Sequence, residues 1–165
     1  MPTTTTREQE RWNEIVADPQ LQELPYKVET NAQGQILLSP HENRHSFLQK
    51  SVQDLLDEHA PDGHAPPEFA IATEQGVKVP DVVWMSPGRR AEMEATGDPS
   101  TLAPELCVEV LSESHTVEEM ADKRVLYWAA GAEEVWMVEA DGQVRFFRDE
   151  EIEQSDLVPE FPTQI

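Results

Sequence analysis

The sequence predicts an α/β protein in which helices flank a mixed β-sheet. This prediction depends on apolar runs rich in β-branched residues, on stretches with apolar residues at helical spacing, and on the turn signals between them. A chain of 165 residues can bury on the order of two-thirds of its unfolded surface, and no linker of domain-separating length interrupts it. We therefore expect a single domain over residues 1–165.

The first predicted elements are an N-terminal helix within residues 1–20 and a β-hairpin over residues 25–39. Thr6 can accept a hydrogen bond as the N-cap of the helix. The hairpin is expected to turn at residues 31–34, because Gly34 tolerates the positive φ that such turns require.

A second helix is predicted for the segment HENRHSFLQKSVQDLLDEH, which spans residues 41–59. Its apolar positions fall on one face, and Pro61 follows its end. Two strands are expected next, over residues 67–73 and 77–85, before a loop or short helix over residues 86–104.

The apolar run ELCVEVL at residues 105–111 is predicted to be a central strand of the sheet. A helix should follow from Thr116, which can form a capping box with Glu119. The stretch after this helix favours a further hairpin that turns at Asp141-Gly142, and residues 149–165 are expected to be an irregular acidic tail.

The net charge of −21 limits the partners of this chain. Its 33 acidic and 12 basic residues create a field that repels phosphate backbones, which argues against tight, non-specific binding of nucleic acid. Any nucleic-acid role then requires a local site with metal ions. The sequence has no apolar run of about 18 residues and no signal-peptide pattern, so we expect a cytoplasmic protein without a membrane span.

Two local patterns suggest other chemistry. His41 and His45, in the segment HENRH, match the H-E-x-x-H spacing of zinc hydrolases, with Glu42 as general base. Pro40 puts this pattern in the first turn of the helix and no third ligand follows, so a zinc hydrolase is a remote alternative. Cys107 lies within an apolar run, which favours a core thiol over a nucleophile.

Glu109 poses the central question, because its carboxylate interrupts the apolar run CVEVL. Asp81 interrupts a second apolar run, VPDVVWM, in the same way. Two such carboxylates on neighbouring strands would repel each other by roughly 4 kcal/mol at ~4 Å and an effective dielectric constant of ~20, whereas a divalent cation would hold them together. Lys123, in the following helix, could position or deprotonate a water beside that cation, although it can equally form a helix ion pair with Glu119.

Several motifs occur in a fixed order along the chain. They are Pro80-Asp81, the segment from Glu105 to Ser114, Glu119-Met120 with Lys123, Leu126-Tyr127, and the segment from Gly131 to Trp136. Together they resemble a restriction endonuclease family of the Uma2 (DUF820) type, abundant in cyanobacteria, which is a branch of the PD-(D/E)xK nuclease superfamily. The likeness covers residues 24–162 and implies a restriction-endonuclease-like fold.

The resemblance also implies a site. Asp81 and Glu109 would bind Mg²⁺ or Mn²⁺, Lys123 would be the catalytic lysine, and the main-chain carbonyl of Val110 and the carboxylate of Glu29 would be further metal ligands. The implied function is an endonuclease that hydrolyses the phosphodiester bonds of DNA, and fold analogy suggests a homodimer.

His45 and Glu119 are supporting residues under the same resemblance. Leu111 stands where the superfamily usually has its lysine, so Lys123 would have to reach the site from the helix, and Glu113 replaces a proline of the family. The basic residues expected to contact DNA are Arg44, Lys50, Arg89, Arg90 and Arg124. A catalytically inactive nuclease-fold protein for binding or assembly stays open as the alternative, and the net charge favours it.

Overall fold

The computed structural model describes residues 6–40 and 42–165. Its helices are α1 (Arg7–Val16), α2 (Pro19–Gln22), α3 (Asn43–His59), α4 (Pro87–Glu94) and α5 (Val117–Ala129). Its strands are β1 (Tyr26–Thr30), β2 (Ile36–Pro40), β3 (Ile71–Thr73), β4 (Gly76–Lys78), β5 (Val82–Trp84), β6 (Leu106–Val110), β7 (Glu134–Val138), β8 (Val144–Arg148) and β9 (Glu150–Ile152).

Within the described residues, five strands form the central sheet in the order β5-β6-β7-β8-β9. Strands β6 and β7 run parallel and the other neighbours are antiparallel, so the sheet is mixed, as predicted. Helix α5 connects the two parallel strands. Every residue of β6 and β7 is buried, which explains why both read as apolar runs without alternation.

Alternate residues of the central strands face two separate hydrophobic cores. On one face, Val108 and Val110 pack with α3 and the C-terminal segment. On the other face, Cys107 packs with α4 and α5, and it is fully buried, as predicted. Glu109 is two residues from Cys107 and therefore points to the same face, toward α5.

The expected single strand over residues 77–85 is instead two strands in different sheets. Strand β4 pairs with β3, and β5 pairs with β6. Pro80 has no N–H for a strand ladder, and the main-chain oxygen of Asp81 accepts hydrogen bonds from the Glu68 N–H and from Gln49 Nε2. This break puts Asp81 directly before β5, next to Glu109 on β6.

The local signals at the element ends agree with the prediction. Thr6 forms a capping box with Gln9 at the start of α1, and Thr116 forms one with Glu119 at the start of α5. The β1–β2 hairpin turns where Gly34 has a φ of 77°. Among the described residues, no helix has both the length and the apolar character to cross a bilayer.

The C-terminal segment has more regular structure than the expected irregular tail. It begins with β9, which pairs with β8 at the edge of the central sheet. Val158 and Phe161 are buried, and the Phe161 ring packs on Trp136 with 4.6 Å between the ring centroids. The apolar residues of this segment therefore complete one of the two cores.

Glu134, on β7, attaches this segment to the sheet. Its carboxylate is fully buried and accepts hydrogen bonds from Ser155 Oγ at 2.6 Å and from the main-chain N–H groups of Asp156 and Leu157 at 2.9 Å each. Trp136 Nε1 donates to the same carboxylate at 2.9 Å. A buried carboxylate is tolerated here because each of its oxygens has donors.

Glu134→Gln is expected to lower the free energy of unfolding by about 2–4 kcal/mol. The substitution keeps the shape but replaces one acceptor by a donor, which leaves N–H groups of the C-terminal segment without a good acceptor. Urea unfolding followed by tryptophan fluorescence measures the change. Glu133→Gln is the matched control, because Glu133 is exposed, and it should cost less than about 0.5 kcal/mol. Equal stabilities of the two variants would contradict this account.

Candidate active site

Charged side chains meet where the β1–β2 hairpin approaches β5, β6 and helix α5. Lys27 and Glu29 point the same way from β1, because strand side chains alternate. With Asp81, Glu109 and Lys123 they form a group that we call the carboxylate–lysine cluster. The first four residues of this cluster are at most 6% exposed, and the Lys123 side chain is 12% exposed.

Contacts between β1 and the segment around β4 orient the cluster residues of β1. Thr30 Oγ1 accepts the N–H of Val77 at 2.8 Å, and Glu29 Oε2 accepts the N–H of Val79 at 2.6 Å. Gly76 makes this approach possible: its φ is 94°, and a Cβ atom there would lie 2.5 Å from the main-chain oxygen of Thr30.

Asp81 is fully buried and has partners on both oxygens. Its Oδ1 accepts from Lys27 Nζ at 3.1 Å, and its Oδ2 accepts the Val110 N–H at 2.7 Å and lies 3.2 Å from His45 Nε2. Burial alone would raise the pKa of Asp81, but the positive charge of Lys27 and the hydrogen bond with His45 outweigh it. The pKa of Asp81 is therefore lower than its usual value, and the carboxylate stays ionised.

Glu109 is also fully buried, in the middle of β6. Its Oε1 accepts from Lys123 Nζ at 3.0 Å and from the Tyr127 hydroxyl at 2.6 Å, and its Oε2 accepts from Lys27 Nζ at 3.3 Å. Burial and the charge of Glu109 raise the pKa of Tyr127, so its hydroxyl keeps the proton that it donates. Two ammonium groups and a hydroxyl thus explain how an apolar strand accommodates this carboxylate.

Lys27 lies between the two buried carboxylates. Its ammonium donates to the main-chain oxygen of Val79 at 3.0 Å as well as to Asp81 and Glu109, which uses all three of its N–H groups. Burial lowers the pKa of Lys27, but the charges of Glu109 and Asp81 raise it by more, to above its usual value. The chain itself therefore supplies a cation at this position.

Glu29 completes the cluster on the side of α5. Its carboxylate forms an ion pair with Lys123 Nζ at 2.9 Å. Burial raises the pKa of Glu29, whereas the charges of Lys123 and Lys27 and the bond from the Val79 N–H lower it, and the net result is a lowered pKa. Lys123 thus has one carboxylate partner from β1 and another from β6.

Lys78 and His115 lie at the margin of the cluster. Lys78 is 8% exposed, and its ammonium donates to the main-chain oxygen of Thr30 at 2.8 Å; burial lowers its pKa, and the charge of Glu29 partly offsets this effect. Burial also lowers the pKa of the half-buried His115, which interacts electrostatically with Glu109. Lys78 thus interacts electrostatically with the cluster, while its hydrogen bond goes to the main chain.

The structure brings together most of the residues predicted from the sequence. Asp81, Glu109, Lys123 and Glu29 are in the cluster, and His45 contacts Asp81. Val110 contacts Asp81 through its N–H group. Glu119 is the exception: its exposed carboxylate accepts the Thr116 N–H at 3.3 Å in the capping box, while Lys123 pairs with Glu29 and Glu109 instead.

Two residues of the site, Lys27 and Tyr127, were not predicted from the sequence. Lys27 could have been found by strand alternation, because it precedes Glu29 by two residues on β1. Tyr127 lies one helical turn after Lys123, and this spacing puts both side chains on one face of α5. His41, the first residue of the predicted zinc pattern, lies outside the described residues, so that pattern stays a prediction.

The donor set of the cluster fits a hard cation by its chemistry, because it consists of carboxylate oxygens without a soft ligand. Binding of a metal also depends on how these side chains are arranged. Over residues 6–40 and 42–165, no group of three or more His, Cys, Asp or Glu side chains is arranged to hold a metal ion. The position shared by Asp81 and Glu109 is taken by the Lys27 ammonium.

Asp81→Asn is expected to make the free energy of unfolding less dependent on acid pH. The lowered pKa values of Asp81 and Glu29 stabilise the folded state above about pH 5, and this contribution is lost as the pH falls below their ordinary values of 3.8 and 4.5. Urea unfolding at several pH values between about 3 and 6 measures the slope. Asp54→Asn, which removes an exposed partner of Lys50, is the control and should keep the wild-type slope. Identical slopes for all three proteins would be evidence against a lowered pKa at Asp81.

Comparisons with known proteins agree in family and fold. A profile of the Uma2 family, described as "Putative restriction endonuclease", matches residues 17–163. Among solved structures, the chain is similar to "a putative nuclease belonging to DUF820" from Anabaena variabilis ATCC 29413. The TM-score is 0.61 at 18% sequence identity, and the match covers 76% of this chain and 74% of that chain. Comparison with curated proteins gives no significant match.

At 18% identity the structural likeness concerns the fold alone, and with the mixed sheet it confirms the predicted fold class. The profile match concerns the sequence itself and extends over nearly the whole chain. The chain therefore belongs to the Uma2 family of restriction endonuclease-like proteins.

Proposed function

We propose that this chain is a metal-dependent endonuclease that hydrolyses the phosphodiester bonds of DNA with Mg²⁺ or Mn²⁺. Asp81, Glu109 and Lys123 come from separate parts of the fold and meet in one buried cluster. This is the observation that supports the proposal most directly. Two carboxylates can hold a divalent cation for hydrolysis of a phosphodiester, and a lysine beside them can stabilise the charge that develops. The membership of a family described as restriction endonucleases adds independent support.

Asp81 and Glu109 would hold the metal, with Glu29 and the main-chain carbonyl of Val110 as further oxygen ligands. A bound divalent cation would polarise the phosphoryl oxygen and lower the pKa of a water molecule. The chain's own contribution is to orient the ligands. The Val110 N–H and His45 both contact Oδ2 of Asp81, which fixes the direction of that carboxylate.

Lys123 is the residue to which we assign a catalytic role. Its side chain is more exposed than those of the buried carboxylates, at 12%, so a substrate phosphate could reach its ammonium. Ion pairs with Glu29 and Glu109 hold that ammonium in place. In this position it could hold a proton next to the attacking water or stabilise the charge that develops on the phosphoryl oxygens.

DNA must approach this site against the net charge of −21. The basic residues expected around the site are engaged elsewhere: Arg89 donates to the main-chain oxygens of Ala103 and Gly131, and Arg124 stacks on Phe147 at 4.0 Å. The others pair with acidic neighbours, namely Arg44 with Glu42, Lys50 with Asp54 and Arg90 with Glu94. We therefore propose that binding of DNA depends on the metal ion more than on a basic surface.

A catalytically inactive nuclease-fold protein, which binds or assembles with a partner, is the second candidate. The observation that favours it is the Lys27 ammonium between Asp81 and Glu109, which balances the cluster without a metal. Equilibrium dialysis with Mn²⁺ separates the two candidates. The endonuclease requires Mn²⁺ binding that depends on Asp81, so the absence of such binding would favour the inactive protein. Where Mn²⁺ does bind, cleavage of plasmid DNA decides between the two.

By analogy of fold alone, we also propose that the endonuclease acts as a homodimer, because cleavage of both DNA strands commonly pairs two active sites. We further propose that it acts in the cytoplasm. Sedimentation equilibrium of the purified chain measures the mass directly. A monomer at all concentrations tested would remove this part of the proposal.

Lys123→Met should lower the rate of metal-dependent DNA cleavage by at least about 100-fold, because it removes the ammonium while keeping the length of the side chain. The measurement is nicking of supercoiled plasmid with Mg²⁺ or Mn²⁺, with EDTA as the blank. Lys50→Met is the matched control, since Lys50 is an exposed lysine that pairs with Asp54, and it should retain the wild-type rate. Cleavage by Lys123→Met at the wild-type rate would refute the proposed role of Lys123.

A further inference from the structure

We propose that Lys27 is an internal counter-cation that occupies the metal position, so that a divalent cation binds to Asp81 and Glu109 only when the Lys27 ammonium withdraws. This inference rests on the proposed metal-dependent function and concerns the regulation of the same site. It makes Lys27 the residue that sets the affinity for the metal.

The contacts of Lys27 support this role more strongly than those of the other lysines. Its ammonium lies 3.1 Å from Asp81 Oδ1 and 3.3 Å from Glu109 Oε2, and it is the lysine that bridges both carboxylates within the described part of the chain. Lys123 contacts Glu109 on its other oxygen, Oε1, and Lys78 donates to a main-chain oxygen. A cation that used Oδ1 and Oε2 would therefore meet the Lys27 ammonium first.

The charge of the cluster leads to the same conclusion. Within the cluster, three carboxylates face the two ammonium groups of Lys27 and Lys123, which leaves one negative charge in excess. A divalent cation added to this set would turn it into an excess of one positive charge, in a region where all three carboxylate side chains are at most 7% exposed. Buried charge without a partner is strongly unfavourable, and the Lys27 ammonium lies between Asp81 and Glu109, so the departure of that ammonium would favour metal binding.

The position of Lys27 in the fold allows such a movement. It belongs to β1, which pairs with β2 in a separate two-stranded sheet and does not form part of the central sheet. Its neighbour Tyr26 is 43% exposed, whereas Lys27 itself is 6% exposed. A movement of its flexible four-carbon side chain would leave intact the β5–β6 ladder beside which Asp81 and Glu109 lie.

The principal test is the affinity for Mn²⁺, measured from the signal of free Mn²⁺ by electron paramagnetic resonance. Lys27→Met should bind Mn²⁺ at least about tenfold more tightly than the wild-type protein, because the competing ammonium is gone. Lys78→Met is the matched control: it removes a buried ammonium beside the cluster without vacating the position between Asp81 and Glu109. Its affinity should change by less than about threefold.

A second measurement covers the case in which Lys27→Met is too unstable without metal. Thermal unfolding should then show a larger increase in Tm with Mn²⁺ for Lys27→Met than for the wild-type protein, because ligand binding stabilises the folded state. In the wild-type protein, the NMR signal of the Lys27 ammonium should change on addition of Mg²⁺ as its hydrogen bonds to Asp81 and Glu109 are lost. An unchanged ammonium signal at saturating Mg²⁺ would overturn the inference.

The outcomes separate this inference from the proposed function. If the wild-type protein and Lys27→Met bind Mn²⁺ equally well, and Asp81→Asn abolishes binding in both, the role of Lys27 is refuted and the metal site stands. If neither protein binds Mn²⁺ in a manner that depends on Asp81, the metal-dependent function and the inference both fail. If Lys27→Met binds more tightly but no DNA is cleaved, the inference stands and the nuclease activity is refuted.

Discussion

The buried bridge from Asp81 through the Lys27 ammonium to Glu109 is the interaction on which the site depends. Both carboxylates are fully buried, and without a cation between them they would repel each other by roughly 4 kcal/mol at ~4 Å and an effective dielectric constant of ~20. The ammonium converts this repulsion into attraction. Because Lys27 belongs to the β1–β2 hairpin, the same bridge also attaches that hairpin to the central sheet. The geometry of the site therefore depends on how this hairpin docks on the central sheet.

The regular periods of strand and helix explain how the other residues reach this bridge. Strand alternation sends Lys27 and Glu29 from β1 in one direction, and the four-residue spacing of Lys123 and Tyr127 puts both on one face of α5. That face covers Glu109, because α5 connects the two parallel strands β6 and β7. The Lys123 ammonium and the Tyr127 hydroxyl consequently donate to the same oxygen of Glu109.

Local signals in the sequence are sufficient for much of the fold and for part of the site. The caps at Thr6 and Thr116 and the apolar runs predict elements, and Asp81 and Glu109 are conspicuous because each interrupts such a run. Lys27 gives no comparable signal, since YKVET reads as a half-exposed strand, and its burial depends on long-range docking against the segment around β4. The ion pairs of Lys123 are likewise not predictable from local sequence. It pairs with Glu29, 94 residues away in sequence, instead of with its helix neighbour Glu119.

The positions of the lysines also affect how the protein interacts with a charged partner. Three of its 12 basic residues are largely buried, with Lys27 and Lys123 in the cluster and Lys78 at its margin, so the exterior is even poorer in positive charge than the composition suggests. Electrostatic attraction of a phosphodiester is thus confined to one small site, and the surface around it is repulsive. Salt screens that repulsion, so moderate ionic strength should assist the approach of DNA here, whereas it weakens proteins that hold DNA through basic patches. Specific capture by the cluster, and not general affinity for nucleic acid, is the binding behaviour that this charge distribution favours.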